Sequence, residues 1–378
     1  MSVVPGGIPD LADLVGRDEE VEAVLRSFHG HGALLTGDRR HGKTCLTRLV
    51  EHASDRAGHH VVRVSAERAS LDDFVEALAD AFVDSGPAYR REVDRWQLSV
   101  RAGAVAGERR SSPRSLDKLV RAALAAHRDE LLVLSIDEIP VLAKSMEENE
   151  GGSGAALLHL LRRLRQEYSG RLVMVLCGSI GFHHVTDDAL GAVNDVEKLP
   201  VGPLRDADAV YLARCLLLGE GIAATDEAAV GSAVARGAEG VPYYVHQLVK
   251  SLRQLNGRER RPVEPADVPR AIDAALTDSD DPWDLRHYRD RLPSYYGHDA
   301  ELVAELLDIY AGASAPLSVD EANRLLGAST ALETRPGRSA LVRLVERLEA
   351  DHYLARRGDA SAFASELVRR AWVTHRRR

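Results

Sequence analysis

Gly37-Asp38-Arg39-Arg40-His41-Gly42-Lys43-Thr44 has the form G-x-x-x-x-G-K-T, the pattern of a backbone loop that cradles the phosphates of a nucleoside triphosphate. The two glycines let the chain turn so that successive N–H groups face one anion. Lys43 supplies a point charge for the β and γ oxygens and Thr44 a hydroxyl for Mg²⁺. A helix starting near Lys43 adds its positive end. Gly37, Asp38, Arg39, Arg40, His41, Gly42, Lys43, Thr44 and the adjoining Cys45 therefore form the first candidate nucleotide-binding set. The flanks supply the context this pattern requires. Gly32-Ala33-Leu34-Leu35-Thr36 is short and apolar, like a buried parallel strand. Leu46, Leu49 and Val50 then fall at helical spacing.

A second apolar run, Leu131-Leu132-Val133-Leu134-Ser135-Ile136, ends in the paired acids Asp137 and Glu138. Ligands of open α/β sheets sit outside the carboxyl ends of the strands, so both acids are expected beside the phosphate loop. Asp137, with Thr44, would hold Mg²⁺, mostly through water because that ion dehydrates reluctantly. Glu138 would orient or deprotonate an attacking water, and with Lys43 it is assigned the catalytic role.

These motifs resemble the Walker A and Walker B elements of AAA+ and STAND-type ATPases, in the form with a D-E pair that goes with hydrolysis. Leu14-Val15-Gly16-Arg17-Asp18-Glu19-Glu20 resembles the "GR-E" signature that opens archaeal-type and origin-recognition-type ATPases. The resemblance implies that Gly16 and Arg17 lie near the adenine. The same acids also suit an ordinary helix N-terminus. Arg171 to Ser179 is another buried strand, and the resemblance puts Ser179 at the sensor 1 position; a serine there also suits a plain turn. Gly240-Val241-Pro242 is similar to the G-x-P element of the same families, whose proline contacts nucleotide from the lid. It also reads as capping grammar, a glycine closing one helix and a proline opening the next. No sensor 2 arginine is evident, which favours the STAND-like or archaeal-type branch over ring-forming unfoldases.

The chain has 378 residues, enough for two or three domains. Strands and helices alternate through the first half, as in a parallel α/β sheet with helices on both faces. His60-Val61-Val62-Arg63-Val64 is a further strand. Ser70 and Asp73 cap a helix from Leu71 to Val83. Glu147 to Gly154 is expected to be a flexible acidic loop, and the helix from Ala156 to Tyr168 to carry Arg162, Arg163 and Arg165 on a solvated face. Beyond Leu204 the pattern becomes wholly helical. Near the end, three helices are followed by a hairpin around Gly358-Asp359, the order of a winged helix-turn-helix. Phe363 to Trp372 resembles the terminal "F-S-x-L-x-R-x-W" run of archaeal-type ATPases. The expected division is 1–203 for a P-loop ATPase core, 204–277 for a helical lid, 278–299 for a linker and 300–378 for the winged helix.

Composition narrows the function. A net charge of −9 argues against general affinity for nucleic acid, and 5% aromatic residues against stacking platforms for single strands. The three cysteines, Cys45, Cys177 and Cys215, lack metal-ligand spacing and read as buried thiols of a reducing compartment. No membrane-length apolar run or secretory leader is evident, so a cytoplasmic protein is expected. The reading is a slow Mg²⁺-dependent ATPase. It would act as a molecular switch that couples nucleotide state to lid and winged-helix rearrangement and to a separate sensor or effector protein. A nucleotide-dependent homo-oligomer is compatible with it. The alternative is an ATP-regulated DNA-binding protein of the initiator or regulator type, with Arg338, Arg343 and Arg347 of the third C-terminal helix meeting DNA or a partner.

Overall fold

A computed structural model describes residues 1–67, 70–105, 113–127, 129–178, 180–185, 187–328 and 337–376. The chain divides into two compact units. One is Arg17–Val201; the other joins Met1–Gly16 to Gly202–Arg378.

The Arg17–Val201 unit runs α1 (Asp18–Ser27), β1 (Gly32–Thr36), α2 (Lys43–Arg56), β2 (His60–Ser65), α3 (Leu71–Asp84), α4 (Pro87–Val105), α5 (Pro113–Ala126), β3 (Leu132–Asp137), α6 (Ile139–Glu150), α7 (Ser153–Glu167), β4 (Leu172–Cys177) and β5 (Glu197–Pro200). Its five strands lie in the order β2-β3-β4-β1-β5, with every pairing parallel. The strand side chains alternate between two buried layers. Leu132, Leu134 and Ile136 join the layer holding Phe74, Leu119 and Leu161. Val133, Val173 and Val175 join the layer holding Val24, Leu46 and Val50. A sheet covered on both faces explains why the central strands read as unbroken apolar runs.

The local start signals act as their chemistry dictates. Ser70 Oγ accepts from the Asp73 N–H at 3.2 Å and opens α3. Two sequence expectations need correction. Glu147 to Gly154 is not a flexible loop: α6 continues to Glu150, and α7 begins at Ser153. The Glu147 carboxylate accepts from the N–H groups of Gly152, Gly154 and Ala155, so an apparent loop acid caps the next helix. Nor do all three arginines of α7 face solvent. Arg165 is fully buried, paired with Asp195 at 2.7 Å and donating to the Ala192 carbonyl at 3.0 Å. Arg162 donates to the Gly191 carbonyl, and Arg163 pairs with Asp117. Each charge finds a tertiary partner that helix periodicity does not reveal.

The other unit contains α8 (Asp206–Gly219), α9 (Glu227–Gly237), α10 (Pro242–Glu259), α11 (Asp267–Thr277), α12 (His287–Asp290), α13 (Leu292–Tyr296), α14 (Ala300–Gly312), β6 (Leu317–Ser318), α15 (Val319–Ala328), α16 (Arg338–Ala350), β7 (Leu354–Arg357), β8 (Ala360–Phe363) and α17 (Glu366–Arg376). One apolar core runs through all of it, from Leu212 and Leu248 through Trp283 and Leu292 to Leu344 and Trp372. Residues 278–299 carry α12, α13 and a 3-10 turn at Gly297–Asp299, and contribute buried Trp283, Tyr288 and Leu292. Ser318 and Glu321 form a reciprocal capping box: Ser318 Oγ accepts from the Glu321 N–H, and Glu321 Oε2 from the Ser318 N–H. β7 and β8 are an antiparallel hairpin turning at Gly358, whose φ of +68° suits glycine, and β6 adds a third strand beside β8.

Candidate functional site: a phosphate loop and two acids

The loop Gly37–Gly42 joins β1 to α2. A β-carbon at Gly37 would stand 2.3 Å from the Val201 carbonyl oxygen, and its φ is +141°. Gly42 has φ +86° at the N-cap of α2. Both motif glycines are therefore demanded by backbone geometry. The loop ties itself in place. The Arg39 N–H donates to Asp38 Oδ1 at 2.7 Å, Arg40 sits at φ +72°, and His41 Nδ1 lies 3.3 Å from the Val201 carbonyl.

Lys43 is buried, and its ammonium turns back onto the loop, donating to the Gly37 and Asp38 carbonyls at 2.7 and 2.9 Å. Burial lowers its pKa, and the charges of Asp38, Glu138 and Asp137 oppose that. The lysine thus lies within electrostatic reach of both acids at the end of β3. Thr44, the next residue of α2, donates from Oγ1 to Asp137 Oδ2 at 3.4 Å. Asp137 closes β3, and Glu138 follows at φ +58°, ψ +29° as the N-cap of α6. That left-handed backbone is uncommon for glutamate and is held by the sharp exit from strand to helix.

Three contacts were not legible beforehand. Cys177 ends β4, one position beyond the Ile136–Leu176 register pair, and so stands beside Asp137. Its thiol donates to Asp137 Oδ1 at 2.9 Å. Burial first, then the Asp137 carboxylate, hold the Cys177 pKa well above the ordinary value, so the proton stays on sulfur. Arg63 of β2 approaches Asp137 Oδ2 at 3.8 Å. Arg17 is buried at φ +81°, paired with Glu20, and donates to the His41 carbonyl at 2.8 Å, tying the start of α1 to the phosphate loop. The advance signals were a cysteine at the end of an apolar run for Cys177, an arginine inside the run Val61-Val62-Arg63-Val64, and the Gly-Arg pair for Arg17.

The remaining candidates divide. Cys45 lies behind Thr44 on α2, its thiol pKa raised by burial. Ser179 lies outside the described residues. Gly16 and Pro242 belong to the other unit. Gly16 has φ +70° and faces Asp208; Pro242 opens α10 just after Gly240 at φ +69°. On α16, Arg338 and Arg343 are exposed, with Arg338 paired to Asp320. Arg347 instead folds inward over the Tyr296 ring, 5.1 Å from its centroid. Other C-terminal cations are also engaged: Arg369 with Glu366, Arg370 with Asp273 and Arg376 with Asp308.

The donor set fits a magnesium–triphosphate. Thr44 and Asp137 are hard oxygen donors next to one another, which suits Mg²⁺. Lys43 holds its charge inside a loop too tight for a side chain at Gly37.

Comparison with known proteins agrees with this geometry. The AAA domain family matches residues 26–186. No curated protein matches the chain. Among solved structures, the chain is similar to a Walker-type ATPase of Pyrococcus abyssi, at 16% identity and a TM-score of 0.66 over 96% of this chain and 97% of that one. It is also similar to the ORC2 protein of Aeropyrum pernix in ADPNP–ADP complexes, at 14% identity and a TM-score of 0.59 over 99% of this chain and 96% of that one. At such identities the likeness is one of fold. Among the described residues no helix is long and apolar enough to cross a membrane. The family match falls within the Arg17–Val201 unit, where the phosphate loop, the paired acids and the parallel sheet lie, and marks an AAA-type domain there.

Proposed function

We propose that the protein binds ATP with Mg²⁺, hydrolyses it slowly, and uses the difference between the two nucleotide states as a switch. The observation that carries this is the convergence of Lys43, Thr44, Asp137 and Glu138 at the carboxyl ends of β1 and β3. Lys43 would exchange its two loop carbonyls for phosphate oxygens. Thr44 and Asp137 would hold Mg²⁺, with Cys177 fixing the carboxylate from the neighbouring strand. The ion, when bound, supplies charge neutralisation at the phosphates. Glu138 orients the attacking water and takes up its proton. The loop amides of residues 38–43 bind the phosphates, and Arg17 steadies that loop through His41. The assignments of Gly16, Ser179 and Pro242 to the nucleotide rest on motif likeness.

A γ-phosphate present in one state and absent in the other is the differential contact a switch needs. We assign 204–277 as the lid and 300–378 as a winged helix, the parts whose arrangement responds. A separate protein, or further copies of this chain, would read the response in the cytoplasm.

Glu138→Gln tests the assignment. Phosphate release should fall by about a hundredfold or more, while MgATP binding persists. Unchanged turnover in that variant, or a folded wild-type protein without affinity for MgATP, would remove the proposal. Sizing with a non-hydrolysable analogue tests the oligomer.

A second reading, ATP-regulated DNA binding, is favoured by one feature. Arg343 on α16 and Arg356 and Arg357 on the β7–β8 hairpin are all exposed within the winged-helix order of elements. Affinity for duplex DNA should then fall steeply with salt and weaken when Arg343 is replaced by alanine. Absence of binding at low salt excludes it.

A further inference from the structure

At the end of the sheet opposite the phosphate loop, three side chains converge that play no part in nucleotide chemistry. His60 is the first residue of β2 and stands in register with Leu132 of β3. His127 follows the last residue of α5, and Glu130 lies in the turn before β3. His60 Nε2 and Glu130 Oε2 are in contact, and His127 Nδ1 lies 3.1 Å from the same carboxylate oxygen. The two imidazole centroids are 3.7 Å apart, and Tyr89 packs against both rings. One nitrogen from each histidine and one glutamate oxygen all lie within 4.8 Å of one another.

We propose that His60, His127 and Glu130 form a zinc site. Two imidazoles and a carboxylate are a borderline-soft donor set that suits Zn²⁺ better than Mg²⁺ or Ca²⁺, which prefer all-oxygen shells. Tetrahedral zinc with bonds of about 2.0–2.1 Å places its ligand atoms roughly 3.3 Å apart, close to the His127–Glu130 separation. The half-buried histidines and the more open glutamate leave one side wet, so water takes the fourth position. The donors come from a strand start, a helix end and a turn, which the ion would clamp at the open edge of the sheet. Ser65 at the far end of β2 pairs with Asp137. At about 3.3 Å per strand residue, this site therefore lies on the order of 16 Å from the magnesium acids. It does not depend on the ATPase reading.

The competing explanation is a carboxylate that merely bridges two imidazoles. The test is a Zn²⁺ titration of the whole chain, stripped of metal and free of nucleotide, against a chromophoric chelator. One equivalent should bind at micromolar concentration or below. His60→Gln and His127→Gln should each weaken it by about a hundredfold and Glu130→Gln by about tenfold, whereas Lys43→Ala should keep it. Co²⁺ should give the visible absorption of a tetrahedral site in the wild-type protein and lose it in the histidine variants. No tight equivalent in the wild type, or one that survives both histidine substitutions, overturns the proposal, because the chain has 15 histidines that could hold zinc elsewhere. Should the variants fail to fold, X-ray absorption of the zinc-loaded wild type decides. Two imidazoles with oxygen donors support the site, and sulfur ligation refutes it.

Discussion

Lys43→Ala should weaken MgATP binding by about 2–3 kcal/mol, roughly 30- to 150-fold in Kd. The figure follows from what the ammonium does in the structure. It makes two hydrogen bonds, to Gly37 O and Asp38 O, and is shielded from water. On binding, those neutral acceptors are exchanged for anionic phosphate oxygens. Both bonds already carry the ammonium's charge; making each acceptor anionic adds a direct ion-pair attraction, about 1–1.5 kcal/mol for each of the two in a site partly open to water. Fold stability should change little: the substitution removes a costly buried charge, and the space left by the side chain admits water to the Gly37 and Asp38 carbonyls. Titration with a fluorescent ATP analogue in Mg²⁺ gives the Kd, and thermal unfolding reports the fold. A Kd within threefold of wild type, with melting unchanged, would refute the placement of Lys43 at the phosphates.

Three further outcomes are expected. Asp195→Ala should destabilise the Arg17–Val201 unit by about 3–5 kcal/mol in urea unfolding, because it strands the fully buried Arg165 guanidinium; a loss below about 1 kcal/mol would mean that water or the Ala192 carbonyl already satisfies it. His246 is buried, accepts the Val4 N–H at Nδ1, and has its pKa pushed down by burial from 6.5 to about 4. Its folded pKa is depressed, so its contribution is intact above about pH 6.5 and is lost as pH falls towards 4, where the unfolded chain binds the extra proton; His246→Gln should flatten that part of the stability–pH curve. Gly37→Ala should abolish nucleotide binding through the clash with Val201 O, and a variant that still binds would show that the loop can open without penalty.

How much was legible depended on the range of the forces involved. The strand–loop–helix around Gly37–Thr44 and the capping pairs Ser70–Asp73 and Ser318–Glu321 are local, and each residue's neighbours in sequence are its neighbours in space. Glu147 was misread as part of a loop because its partners, the amides of Gly152, Gly154 and Ala155, become available only when α7 begins where it does. Arg165 was misread as solvated because periodicity places a residue on a face but says nothing of an aspartate thirty positions away.

The amino-acid sequence alone determined the alternation of strands and helices, the glycine-bounded loop, and the pair of acids ending an apolar strand, since these follow from backbone geometry and from period-2 and period-3.6 burial. Only the tertiary structure decided that Cys177 steadies Asp137, that Arg17 ties down the phosphate loop, and that His60, His127 and Glu130 meet at the far edge of the sheet. The first and last of these contacts arise from the β2-β3-β4-β1-β5 strand order, and the second from the packing of the start of α1 against the loop after β1; no local pattern connects the residues involved.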